Sequence, residues 1–339
     1  MPLDPEHLRA VRYLNVDHIG SRRVNLMPLW EDGRWHLWIP RSDGLFEMHP
    51  DSAIEADYVA KISASPNDIL IPFVELMWQR ASWPEVCPLI ASISSDFHNL
   101  GTSVEKTSHF FASREALRRG STHFVKTELE YMFMLSRSVF DLLQEVIERL
   151  WRKRVQLLDP AAEARRKAHR LPSTFSKMVL REKRELRTAE ELVITHALPD
   201  ALAAAYVTAA PFFAAVRDFR NSIVHNGKDV RLIYVTERGF CIQKGHPGLD
   251  KFSCWRPEHD DNENIVSLLP LMAHLVLGTI ETCNNLMQAF ASQITLPEPL
   301  APNHHVFIRG PHNDALLWMQ TVGDGGSPWW SDRPPPTAA

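Results

Sequence analysis

Residues 122–154, THFVKTELEYMFMLSRSVFDLLQEVIERLWRKR, decide the fold class. Apolar side chains recur at Val125, Leu129, Met132, Leu135, Val139, Leu142, Val146 and Leu150, in steps of three or four that put them all on one side of a helix. The pattern runs for about eight or nine helical turns. Helical patterns on either side supply partners for this stripe, at about 99–119, about 200–226 and about 262–294, with a charged helical connection at about 160–196. Long helices with one apolar face bury it against each other, so the expected fold is mainly α, with a helical bundle over residues 91–295. One stretch breaks the pattern. VRLIYVTERGFCIQK (230–244) alternates apolar and polar residues around Arg238-Gly239, which predicts a β-hairpin inserted into the bundle.

On the N-terminal side, RRVNLMPLWEDGRWHLWIPRSDGLFEMH (22–49) carries Asp32-Gly33 between two Trp-bearing runs and Asp43-Gly44 further on. Asp-Gly supplies the positive φ angles of a tight hairpin turn, so a meander of about three strands is expected. Helical patterns at about 51–64 and 66–81 complete a small α+β N-terminal domain over residues 1–90. On the C-terminal side, residues 296–339 hold 8 of the 24 prolines, which predicts an extended arm. Its apolar pieces VFIRG and ALLWMQ are expected to add strands to the meander, and SDRPPPTAA to be disordered.

The composition is that of a globular chain: 339 residues, 45% apolar and 23% charged, enough for about two domains. The four cysteines, Cys87, Cys241, Cys254 and Cys283, form no CxxC pair and no disulfide framework, so a reducing, cytoplasmic setting is expected. The first residues show no basic stretch followed by an apolar one, and no signal peptide is expected. Ile265–Ile280 is interrupted by Ser267, Pro270, His274 and Gly278 and falls short of the ~20 residues that span a bilayer; a buried helix and no membrane partner follow.

The net charge of −4 conceals an asymmetry. Between residues 100 and 190 there are 19 Lys plus Arg against 12 Asp plus Glu, a local +7, leaving 18 against 29, or −11, elsewhere. Arg149, Arg152, Lys153 and Arg154 end the long helix, Arg165, Arg166, Lys167 and Arg170 follow, and then Arg181, Lys183, Arg184 and Arg187. Such a stripe suits a nucleic-acid backbone, with Arg149, Arg152, Lys153, Arg154 and Lys228 as RNA contacts. The alternative is a solvated face in which Glu182, Glu185, Glu190 and Glu191 are the partners.

The segment that carries chemistry is PFFAAVRDFRNSIVHNGKD, residues 211–229. At 100° per residue, Phe212, Val216, Phe219 and Ile223 define a core face; Asn221 and His225 lie roughly opposite with Asp218 beside them, and Arg220 sits between the two faces. Asn226-Gly227 is a helix stop, so His225 belongs to the last turn, where the helix dipole favours its protonated form. An imidazole can move the protons of an attacking 2′-hydroxyl and a leaving oxygen, and a guanidinium can hold the charge that builds on the phosphorane. No metal or other cofactor is required.

Arg220-Asn221-Ser222-Ile223-Val224-His225 resembles the Arg, polar residue, three residues, His signature of the HEPN superfamily, and residues 95–295 resemble its helical bundle. An Arg followed four to six residues later by a His recurs by chance, but only Arg220 combines a four-residue gap before the His with Asn, Asp or His directly after it. The resemblance implies a metal-independent endoribonuclease, a toxin or anti-phage effector, with Arg220, Asn221 and His225 in a cleft shared by two copies. A homodimer and an antitoxin or defence-system partner protein come with it. In the subgroup whose motif continues His-x-Tyr that tyrosine is modified; here Asn226 and Gly227 follow His225, so that regulation does not carry over. A non-catalytic scaffold that binds nucleotide or protein, and a regulatory subunit, are the alternatives. In the simplest one, His225 caps its helix and Arg220 pairs with a carboxylate.

Two further groups have two readings each. Cys241, His246, Cys254 and His259 could hold zinc, although their spacing departs from the usual short knuckle, and otherwise they are unrelated loop and strand residues. Trp30, Trp35 and Trp38 either stack on bases or pack a small sheet.

Overall fold

The computed structural model describes residues 5–118, 120–182, 184–226, 232–246 and 248–335. One helical turn, α1 (Pro5–Leu8), precedes the meander. Asp32 (φ 50°) and Gly33 (φ 72°) both take the left-handed conformation, which closes the hairpin between β1 (Leu29–Glu31) and β2 (Arg34–Arg41). β2 then pairs with β3 (Gly44–Met48), Trp38 opposite Glu47. Residues 51–64 are not helical. They contain β4 (Ala56–Ala60), parallel to β1 and antiparallel to a strand from the far end of the chain, β8 (His305–Arg309). The sheet order is β3-β2-β1-β4-β8. Pairing with segments distant in sequence overrides the weak local helical pattern here, as non-local contacts commonly do for strands.

Helices follow. α2 (Pro72–Arg80) begins at a proline, whose missing N–H costs nothing in a first turn. The same holds for Pro88 in α3 (Cys87–Ala112), so the boundary expected near residue 90 falls inside the first turn of a helix. The short α4 (Arg114–Leu117) leads to α5 (Gly120–Lys153), the long amphipathic helix of the opening stretch. The charged connection breaks into three: α6 (Pro160–Ala168), N-capped by Asp159; α7 (Phe175–Val179); and α8 (Ala189–His196), closed by a Thr188–Glu191 capping box. α9 (Asp200–Asn226) runs back along α5. The inserted hairpin is present as β5 (Ile233–Val235) and β6 (Phe240–Gln243), but it gains a third strand, β7 (Ile265–Ser267), directly before α10 (Leu269–Ala291).

α5 packs on α3, α9 and α10, the four helices forming the centre of the molecule. Gly278 of α10 permits the close approach to α9: a Cβ there would lie 2.8 Å from the Phe212 ring. One buried cluster includes Leu8, Trp38 and Val59 of the N-terminal part, Val146 and Tyr206 of the helices, and Ile308 of β8, so the core crosses the expected boundary at 90 without a break. The result is a mixed α+β protein in which helices predominate, not a pure helical bundle.

The C-terminal arm is the largest departure. VFIRG does join the sheet as β8, but ALLWMQ lies in a helix, α11 (Asn313–Gly323), packed on α10 and α3. Trp329 and Trp330 are buried, with Arg238 over the Trp329 ring at 3.9 Å and Trp330 edge-on to Phe240. Arg333, expected in a disordered tail, donates to Glu105 at 3.0 Å and lies 4.8 Å over Trp318. Residues 336–339 lie outside the described residues.

Asp200–Ser222 of α9 is long and apolar enough to cross a membrane by length and composition; half of that window is buried within the protein. Its apolar side is used against α5, α8 and α10.

Candidate functional site

α5 and α9 are antiparallel, as three contacts along their length establish. Phe219 lies against Phe133 (ring centroids 4.3 Å apart), Phe213 against Phe140 (5.3 Å), and the Tyr206 hydroxyl donates to Gln144 Oε1 at 2.7 Å. Val216 and Phe219 face the core as expected; Phe213 is fully buried and Phe212 only partly, set against Phe140 and His274. The C-terminal turns of α9 therefore lie beside the first half of α5, with Phe219 as their last described anchor.

Arg220 and Asn221 sit on these turns, both half-buried, and Arg220 Nη1 donates to Asn221 Oδ1 at 3.3 Å. Among the described residues Arg220 makes no ion pair with a carboxylate, in contrast to its neighbours. Asp218 takes Lys251 at 2.8 Å and Arg217 at 3.4 Å. The helix carries the backbone of His225, but the side chains of Ile223 and His225 lie outside the described residues, as does Lys228.

One turn before Arg220 is a group that the periodicity did not reveal. Burial works to lower the pKa of Arg217; Asp218 opposes this, and the charges of Arg184 and Arg137 reinforce it. Three guanidinium groups from α9, α5 and the loop before α8 thus share one field near the candidate site. Arg137 stays fixed by Asp141 at 2.6 Å and by the Phe213 face. In the sequence, Arg137 and Arg184 lie 47 positions apart, so no local pattern joins them.

The basic run at the end of α5 lies elsewhere. Because the helices are antiparallel and Phe133 is level with Phe219, residues 149–154 stand roughly 25–30 Å along α5 from Arg220. They are also engaged: Arg149 with Glu145 and the Glu85 carbonyl, Arg152 with Glu148 at 3.3 Å, and Arg154 with Glu85 at 2.7 Å while it lies over Trp83. Arg166 and Arg181 are likewise paired, with Glu163 and with Glu185 and Glu191. Lys153 is exposed. The Glu residues of the solvated-face alternative account for part of this pairing.

Cys241, His246, Cys254 and His259 are not gathered. Among the described residues the only three or more metal-ligating side chains with ligand atoms within 4.8 Å of one another are His36, Glu47 and His49. Burial pushes the Cys241 and Cys254 thiols up to about 12, and His259 Nδ1 accepts from the Arg256 backbone N–H. Trp35 and Trp38 are buried, Trp30 lies 4.9 Å from Trp35, and Tyr13 is edge-on to Trp38, so these rings pack the sheet.

Comparison of the chain with protein-family models, with curated proteins and with solved structures finds no match.

Proposed function

We propose that the protein is a metal-independent endoribonuclease of the HEPN type, a toxin or anti-phage effector, acting as a homodimer. The observation that carries this reading is the pair Arg220–Asn221 on the last turns of a core helix, partly exposed, with Arg220 in no ion pair among the described residues. A guanidinium not spent on a carboxylate is available for a phosphate. His225 follows one and a half turns later on the same helix and is the general acid or base; Arg220 holds the charge on the phosphorane; Asn221 orients the histidine or the scissile phosphate. Arg217, one turn before Arg220 and paired with Asp218 at 3.4 Å, adds a further guanidinium beside the motif. A chain brings one such histidine, and proton transfer at both the attacking and the leaving oxygen is met by a second copy of the motif.

The packing of α5 against α3, α9 and α10 supports the HEPN-like part of the reading, since the motif then lies near the end of a late helix of a four-helix centre. The test is RNA incubated in EDTA with wild type and with His225→Ala. The expected result is cleavage by the wild type alone. Cleavage by neither protein, at protein concentrations where dimers form, refutes the enzyme and leaves a scaffold that binds nucleotide or protein.

A further inference from the structure

The face of the β2–β3 hairpin that carries Trp38 also holds a group of side chains that the ribonuclease reading does not use. β2 and β3 pair with Leu37 opposite Met48 and Trp38 opposite Glu47. One step further along this antiparallel register, His36 faces His49, and Glu47, two residues before His49, lies on the same face of the ribbon. Cross-strand geometry therefore gathers two imidazoles and a carboxylate from 14 residues of sequence, with ligand atoms within 4.8 Å of one another.

The orientation of the two rings suits ligation. The His49 Nδ1–H donates to the Trp35 carbonyl at 3.2 Å, which holds the ring and leaves the Nε2 lone pair for a ligand. His36 is buried and stacked on Trp38, its Nδ1 2.8 Å from Glu47 Oε1, so one ligand is rigid and another, His49, is exposed. The rings are perpendicular with centroids 4.7 Å apart. We propose that His36, Glu47 and His49 bind a divalent zinc-class cation, with its fourth position left to water. Two imidazoles and one carboxylate are the ligand types of Zn²⁺ and its first-row neighbours; Ca²⁺ and Mg²⁺ take oxygen shells, which this face does not offer.

Arg12 makes the assignment specific. Its Nη2 donates to Glu47 Oε1 at 2.9 Å and lies beside His36, so a guanidinium is the resident cation at the carboxylate. The arginine is half-exposed and already reaches a second carboxylate, with Nη1 3.5 Å from Glu31 Oε2. An incoming ion displaces Arg12 from Glu47, and Arg12 turns to Glu31. Removal of Arg12 therefore strengthens metal binding, whereas a merely structural ion-pair cluster does not bind metal in either form.

The test is a Co²⁺ titration of EDTA-stripped full-length protein, read from the visible d–d bands, with Zn²⁺ competition for affinity. One ion per chain is expected. His49→Ala and Glu47→Gln each weaken it at least tenfold, and Arg12→Ala tightens it several-fold. His49 is exposed, so its variant folds even where His36→Ala does not. Absence of the bands, equal affinity in His49→Ala, or weaker binding in Arg12→Ala each overturns the proposal. RNA cleavage in EDTA is a separate readout that this site leaves unchanged.

Discussion

Replacement of Phe219 by alanine tests whether the end of α9 is anchored where the proposed chemistry requires. The ring is 1% exposed, 4.3 Å from Phe133, and a Cβ on Gly248 would lie 3.3 Å from its edge, so three segments close around it. A buried phenylalanine removes on the order of 150 Å² or more from water, worth about 4 kcal/mol at about 25 cal/mol/Å². The cavity that remains keeps the cost within the usual range of about 3–5 kcal/mol for this truncation. Against a total stability of about 5–15 kcal/mol this is a large fraction. Urea titration followed by both far-UV circular dichroism and Trp fluorescence checks it: the midpoint drops while the slope is unchanged. Phe212→Ala, which removes a partly exposed ring, costs clearly less. If Phe219→Ala costs below about 1 kcal/mol, α9 is not held by this contact and the placement of Arg220 loses its basis.

Three further outcomes follow from the geometry. The His98 and His312 rings lie 4.1 Å apart, tilted by 32°, with both Nε2 atoms buried and without hydrogen-bond partners; burial holds His312 down to about 4, helped by His98, and burial lowers His98 despite Asp57 and Glu55. Their folded pKa values lie below the unfolded value, so stability is complete above about pH 6.5 and declines as pH falls towards about 4, by up to about 3 kcal/mol for His312. His312→Gln flattens the Tm between pH 7 and 4.5, and an unchanged slope contradicts this. Asp68, 3% exposed in its side chain, takes the Arg309 fork at 2.7 and 2.9 Å and the Tyr58 hydroxyl at 2.6 Å, so Asp68→Asn costs about 3–5 kcal/mol and deletion of residues 296–339 prevents folding. A truncated chain with native circular dichroism contradicts that. Finally, Arg217→Gln reduces the slope of log affinity for RNA against log salt by about 1, whereas Arg149→Gln with Arg152→Gln leaves it unchanged; the opposite pattern places the RNA at the far end of α5.

What the sequence disclosed was local. The apolar steps of α5 and α9, the Asp32-Gly33 turn and the 230–244 hairpin each depend on neighbours within a few residues, and each is present. Errors arose where a distant segment decides the outcome. Tyr58 and Val59 form a strand because residues 29–30 and 305–309 lie on either side of them. The boundary expected near residue 90 falls in the first turn of α3, where Pro88 is tolerated. ALLWMQ carries the apolar content of a strand, but its side chains fill the groove over α10 and α3 as a helix. The position of Arg220 and Asn221 on the last turns of α9 was legible from helical spacing; the separation of the basic run from them was not, because it depends on the antiparallel course of α5 and α9. His36 and His49 escaped notice because strand register, not sequence spacing, puts them face to face.

The central claim is that a histidine and an arginine on α9 cleave RNA through its 2′-hydroxyl without a metal. The most direct measurement is the chemistry of the RNA ends produced by EDTA-treated protein, with His225→Ala run beside it. The account predicts 2′,3′-cyclic phosphate and 5′-hydroxyl ends from the wild type and none from the variant. Ends with 3′-hydroxyl and 5′-phosphate, or the same products from His225→Ala, contradict it.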